Sequence, residues 1–130
     1  MTEKKLTRSQ LLIMKTIWDA GQDISYQELL DVLDRNSEHG YKRSTLVTFL
    51  TQLEAMGYIT TYRVGRYAYI KPEVSEEQFR QWHAVEETNQ WYQGKAAVFL
   101  TALHAAGKLT QKDKEEIRRL IDDLDDTLDD

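Results

Sequence analysis

The sequence predicts a mostly α-helical protein with one small β-hairpin, and three observations lead there. Apolar residues recur at three- and four-residue spacing through most of the chain. Hydroxyl residues stand three positions ahead of Glu, Gln or Asp where such stretches begin. A single run rich in Ile, Thr and Tyr lies between Gly57 and Pro72.

Three helix starts carry a full capping box, Thr7 with Gln10, Ser25 with Glu28 and Ser75 with Gln78, and Thr110 with Asp113 is a version with a shorter acid. The first helix is expected from Ser9 to Ala20, with Leu11, Met14, Ile17 and Trp18 inward and Gly21 as its stop. The second is expected from Tyr26 to Arg35, burying Leu29, Leu30, Val32 and Leu33, and the polar stretch Asn36 to Gly40 leads into the third. That third helix has Leu46, Phe49, Leu50, Leu53 and Met56 on one stripe and ends at Gly57.

Its other face is unusual. Ser44, Thr48, Thr51 and Ala55 are short and uncharged, with Thr45, Val47 and Gln52 on the flanks, where an ordinary solvated helix carries Lys and Glu. Such a face can approach base edges: Ser and Thr donate or accept, Gln suits adenine, and methyl groups meet a thymine methyl. A helix packed on both sides would show the same residues, so the face alone leaves both readings open.

The hairpin pairs Ile59 to Arg63 with Arg66 to Ile70 around Val64-Gly65. A two-residue loop there sets Ile59 against Ile70, Tyr62 against Tyr67 and Arg63 against Arg66. Two arginines directly opposite each other repel, and either an anion such as a phosphate between them or the splaying of both into water would relieve this. Three short helices followed by a hairpin make a winged helix-turn-helix, with the third helix as the reader and the hairpin as the wing.

Residues 73–130 read differently. A patchy helix from Glu76 to Gln93 carries Phe79, Trp82, Val85 and Trp91, and Gly94 marks a bend. A segment from Ala96 to Ala106 holds Val98, Phe99, Leu100 and Leu103. The last helix has a narrow seam of Ile117, Leu120, Ile121, Leu124 and Leu128. These helices have too little chain for a core of their own, so Phe99, Leu103, Ile117, Leu120, Ile121 and Leu124 are expected to pack against a second copy, the alternative being the N-terminal domain of the same chain. The expected organisation is a DNA-binding domain over residues 1–72 and a helical dimerisation domain over 73–130.

Charge divides the same way. The net charge of −5 splits into +2 for residues 1–72 and −7 for 73–130, so the second region is a poor partner for phosphate. The absence of cysteine excludes disulfides and thiolate metal sites and suits a reducing cytoplasm. No apolar run reaches the length of a membrane span, and the opening MTEKKLTRSQ lacks a signal-peptide core. His39, His83 and His104 are dispersed, and the acid pairs Asp122-Asp123 and Asp125-Asp126 read as solvated charge. There is no Gly-rich phosphate loop and no nucleophile elbow, so neither an enzyme, a cofactor nor a metal site is expected.

The order of elements resembles the penicillinase and methicillin-resistance repressors and their copper-responsive relatives, the BlaI/MecI/CopY family. The resemblance rests on Leu6-Thr7 with Ile13-Met14 and Ile17-Trp18, the run Ser44 to Leu53, Gly57-Tyr58-Ile59 leading to Gly65-Arg66-Tyr67-Ala68-Tyr69, Pro72 to Glu77, and Leu109-Thr110 before the last helix. It implies bacterial, cytoplasmic, homodimeric repressors that bind double-stranded operator DNA with inverted TACA/TGTA half-sites. It also implies DNA contacts from Ser44, Thr45 and Thr48 on the helix and Arg63 and Arg66 on the wing. Together with the residues around them, Lys42, Arg43, Val47, Thr51 and Gln52 complete the expected DNA-binding set. Val47 stands where the antibiotic-resistance members carry an arginine, Ala102-Leu103 where the proteolysed members carry Asn-Phe, and the copper-binding cysteines are missing. The alternative function is a winged-helix protein-interaction module acting on another regulator, which the net negative charge favours.

Overall fold

The computed structural model describes residues 5–36 and 41–128. Of the expected loop from Asn36 to Gly40, Asn36 is the last residue of the second helix, and residues 37–40, with His39, lie outside the described residues. In order, the elements are α1 (Arg8–Asp19), β1 (Ile24–Ser25), α2 (Tyr26–Asn36), α3 (Arg43–Ala55), β2 (Ile59–Val64), β3 (Tyr67–Pro72), α4 (Glu76–Trp91), α5 (Ala96–Ala105) and α6 (Gln111–Leu128). They form two compact units, residues 1–82 and 83–130.

Local chemistry sets the helix starts. The Thr7 hydroxyl accepts from the Gln10 N–H at 3.2 Å while the Thr7 N–H donates to Gln10 Oε1 at 2.9 Å. Ser75 and Gln78 make the same reciprocal pair, as do Thr110 and Asp113 despite the shorter acid. Ser25 departs from the pattern. Its backbone is paired in the sheet, and its hydroxyl both accepts from the Glu28 N–H and donates to the Glu28 carboxylate.

One core fills the first unit. Ile13, Met14 and Ile17 of α1, Leu29 and Leu33 of α2, and Leu46, Leu50 and Leu53 of α3 are all essentially inaccessible, with Tyr58, Ile59 and Ile70 completing it from the sheet side. Complete burial of each such Leu or Ile stabilises by about 1.5–3 kcal/mol. The buried set is narrower than the expected stripes: Leu11, Trp18, Leu30, Phe49 and Met56 are half-buried at its margin, Val32 is half-buried too, and Ile13 is fully buried on α1.

The sheet differs from the expected hairpin in two respects. It has a third strand, in the order β1-β3-β2, with Ile24 opposite Ile70 and Ser25 opposite Tyr69. The hairpin register also shifts by two residues, giving Ile59 opposite Pro72, Thr61 opposite Ile70, Tyr62 opposite Tyr69, Arg63 opposite Ala68 and Val64 opposite Tyr67. The turn is therefore Gly65-Arg66, not Val64-Gly65. Gly65 has φ +61°, whereas Arg66 is not among the residues at positive φ, which suits a type II′ turn with glycine at its first central position. A two-residue slip preserves parity, so Ile59 and Ile70 still face the core.

The first unit extends past the expected division at residue 72. The Trp18 indole N–H donates to the Val74 carbonyl at 2.9 Å, and the Phe79 ring lies 5.5 Å from Trp18, 6.2 Å from Tyr58 and 6.0 Å from Trp82. The start of α4 thus belongs to the first core.

In the second unit, Gln93 at φ +57° and Gly94 at φ +71° separate α4 from α5, placing the expected bend. A side chain on Gly94 would meet Asn89 Oδ1 at 2.9 Å. The Tyr92 and Phe99 rings pack 5.2 Å apart. Among the described residues of this unit no side chain is fully buried.

Phe79→Ala is expected to destabilise the first unit by about 3–5 kcal/mol, read as a lower denaturant midpoint by tryptophan fluorescence. At α6, bonds from the backbone and hydroxyl of Thr110 hold the Asp113 carboxyl below its ordinary 3.8. The cap therefore stabilises the helix start fully above pH 3.8, and that contribution disappears as pH falls through the lower folded value. An NMR titration should place the Asp113 midpoint below 3.8 in the wild type and move it only part of the way back in Thr110→Ala, which loses the hydroxyl but keeps the backbone N–H bond.

Candidate nucleic-acid interface

Helix α3 is oriented by its leucines. With Leu46, Leu50 and Leu53 driven into the core, Arg43, Ser44, Thr45, Val47, Thr48, Thr51 and Gln52 are all exposed, as is Lys42 at the N-cap. The reading of α3 as a helix packed on both sides is thereby removed. Lys42 gives no side-chain cap.

The polar groups on this face are organised. Thr48 donates its hydroxyl proton to the Ser44 carbonyl at 3.0 Å, and Thr51 does the same to the Val47 carbonyl at 2.9 Å. Gln52 accepts at Oε1 from Gln10 Nε2 at 3.1 Å, a bond that ties α3 to the start of α1. Gln10 is 7% exposed, and its own Oε1 is held by the Thr7 N–H.

The wing is braced where it leaves the sheet. Tyr62 and Tyr69 stack with centroids 5.7 Å apart and planes at 16°, replacing the Tyr62–Tyr67 pair expected from the sequence. The Tyr62 hydroxyl donates to Asp23 Oδ2 at 2.6 Å, which pushes the phenol's pKa up. At the tip, Arg63 stands opposite Ala68 and its Nη2 donates to the Arg66 carbonyl at 3.3 Å. The expected like-charge opposition is absent, so an anion between the two arginines is not required by the hairpin.

Arg43, Val47 and Arg63 come together in one cleft of about 290 Å³, with Tyr26 and Tyr62. A neighbouring depression of about 260 Å³ adds Arg66 and Tyr67 and shares Arg43 and Arg63. Three arginines from α3 and the wing thus line adjoining concavities. Tyr26 was not among the expected site residues. Burial raises its phenol pKa, and the Glu54 carboxylate adds to the rise. No sequence spacing marks it, because α2 meets α3 and β2 only in three dimensions.

In the second unit, Leu103, Ile117 and Leu120 line a groove of about 410 Å³ between α5 and α6. Phe99 is 38% exposed, Leu120 55%, Ile121 49% and Leu124 45%. The side chain of Leu128 lies outside the described residues.

The model of the penicillinase repressor family matches residues 6–123. The chain belongs to the penicillinase repressor family. This is a family of transcriptional repressors and not of enzymes, and DNA binding comes with membership. The solution structure of the DNA binding domain of the repressor BlaI is similar with a TM-score of 0.50 at 24% identity, over 57% of this chain and 87% of that one. The ligand-free organohalide-sensing regulator RdhR-CbdbA1625 gives 0.47 at 14% identity over 95% of this chain and 64% of that one. A MarR protein from Peptoclostridium difficile DA00132 gives 0.46 at 13% identity over 95% and 71%. No curated protein matches the chain. The fold is a winged helix, mostly α with a small antiparallel sheet. Among the described residues of this penicillinase repressor family member, no helix is long and apolar enough to cross a membrane.

Asp23→Ala is expected to lower the Tyr62 phenol toward its ordinary 10.0, since the bond to Asp23 is the first cause of the upward shift. The NMR titration of the Tyr62 ring checks this.

Proposed function

We propose that the chain is a dimeric transcriptional repressor that binds an inverted-repeat operator, with α3 in the major groove and the wing on the backbone. The observation that carries the reading is the exposed, uncharged face of α3 beside the adjoining concavities lined by Arg43, Arg63 and Arg66. Small hydroxyl and methyl groups admit close approach to base edges, and guanidinium groups at the rim suit phosphate oxygens. Lys42 and Arg43 at the start of α3 add positive charge where the helix dipole already favours an anion. Val47 is 39% exposed and offers methyl groups to a thymine.

The exposed apolar residues of the second unit support the dimer. Phe99, Leu120, Ile121 and Leu124 are exposed and Leu103 and Ile117 line an apolar groove, and covering these residues with the same residues of a second copy would give a two-fold dimer. A two-fold dimer would set its two α3 helices about 34 Å apart, one turn of duplex, and so select inverted half-sites.

Operator affinity should fall steeply with salt, because arginines on both protomers displace counterions. A flat response between low and moderate salt on every promoter fragment would sink the proposal. Thr48→Ala is expected to reduce discrimination between operator and random DNA, while Arg66→Ala weakens both about equally; indistinguishable effects would remove the assigned roles. By analytical ultracentrifugation the wild type should sediment as two copies and Leu124→Asp as a monomer with much weaker operator binding. A monomeric wild type at micromolar concentration contradicts this part of the reading.

A further inference from the structure

The hydrogen-bond directions on α3 are determined, and they restrict which base edges it can read. A carbonyl oxygen has no proton to give, so in the Thr48–Ser44 and Thr51–Val47 contacts the hydroxyl is the donor. Each threonine has one hydroxyl proton, and it is committed to the backbone. Outward, each presents lone pairs alone.

The same logic orients Gln52. A backbone N–H is always a donor, so the Gln10 atom facing the Thr7 N–H at 2.9 Å is its oxygen. The Gln10 amide nitrogen therefore faces Gln52, and the Gln52 atom it meets at 3.1 Å is also an oxygen. With that oxygen engaged, the NH₂ of Gln52 is the group left to bond elsewhere, and it can only donate. A relay that starts at a main-chain amide thus sets the polarity of an exposed side chain 45 residues later in the sequence.

We propose that Thr48 and Thr51 act as hydrogen-bond acceptors and Gln52 as a donor toward operator DNA, which makes them specificity-determining residues of defined polarity. In the major groove the donors are the N6 amino group of adenine and the N4 amino group of cytosine. The threonines therefore select adenine or cytosine at the edges they face. Gln52 selects an acceptor edge, guanine O6 or N7, thymine O4 or adenine N7. Thr48 and Thr51 lie three residues apart, about 4.5 Å along the helix, so they face the same or adjacent base pairs. This rests on α3 being the base-reading helix.

The test selects operators from a random duplex library with the full-length wild-type chain and with Thr48→Val, Thr51→Val and Gln52→Leu. All three positions are exposed, and threonine and valine have the same shape. The base position at which each variant loses preference is then resynthesised with single-group analogues. At the Thr48 and Thr51 positions, deleting the exocyclic amino group is expected to weaken wild-type binding roughly five- to tenfold and to leave the matching valine variant unaffected. Replacing a purine N7 by carbon at those positions should change nothing. At the Gln52 position an acceptor deletion should weaken the wild type and spare Gln52→Leu. Selective binding with these sensitivities exchanged, or with preferences unaltered by all three substitutions, overturns the polarity while leaving the repressor reading intact. Absence of any sequence-selective binding overturns both.

Discussion

The burial of Leu46, Leu50 and Leu53 is the constraint on which the candidate interface depends. These three side chains are at most 1% exposed, and at about 1.5–3 kcal/mol each their burial is large against the 5–15 kcal/mol stability of an ordinary domain. A helix has one rotational freedom about its axis, and this stripe removes it. Everything polar on the far side of α3 is consequently turned to solvent, and the Gln10–Gln52 bond adds a polar tie to the same orientation. The helix can present Ser44, Thr45, Thr48 and Thr51 to solvent because its apolar anchoring is on the opposite face.

The wing is positioned by a second, independent set of contacts. β3 is held on both sides, by β2 along six residue pairs and by β1 along two. The Tyr62–Asp23 bond and the Tyr62–Tyr69 stack brace the face turned away from the core. Arg63 and Arg66 therefore project from a supported hairpin whose turn glycine has the backbone handedness that a tight connection needs. The aromatic cluster around Phe79 extends this support to the root of α4. In the second unit the balance is opposite, since α5 and α6 show large apolar residues with no fully buried side chain among those described. That asymmetry is the physical basis for reading one unit as self-sufficient and the other as completed by a copy of itself.

Features encoded within a few residues are legible in the amino-acid sequence. The boxes at Thr7, Ser75 and Thr110 form reciprocally, and the leucine stripe of α3 lies where its spacing puts it. The hairpin register is not legible in the same way. Val64-Gly65 and Gly65-Arg66 are both two-residue loops around the same glycine, and the choice depends on where that glycine sits within the turn and on β1 pairing alongside. A two-residue strand has no periodicity to detect, so β1 becomes visible only once Ile24 lies against Ile70.

Spacing and composition are enough to establish the helical content, the apolar stripes, the unusual face of α3 and the division of charge, because each is a property of neighbours along the chain or of residue counts. Folding settles the rest: which face of α3 meets solvent, that Arg43 and Arg63 share a cleft with Tyr26, and that Gln52 is oriented by Gln10 from 42 residues away. The reason is the range of the interactions. Capping and helical periodicity act over three or four residues, whereas a cleft and a hydrogen-bond relay exist only when a shared core has brought distant segments within contact distance.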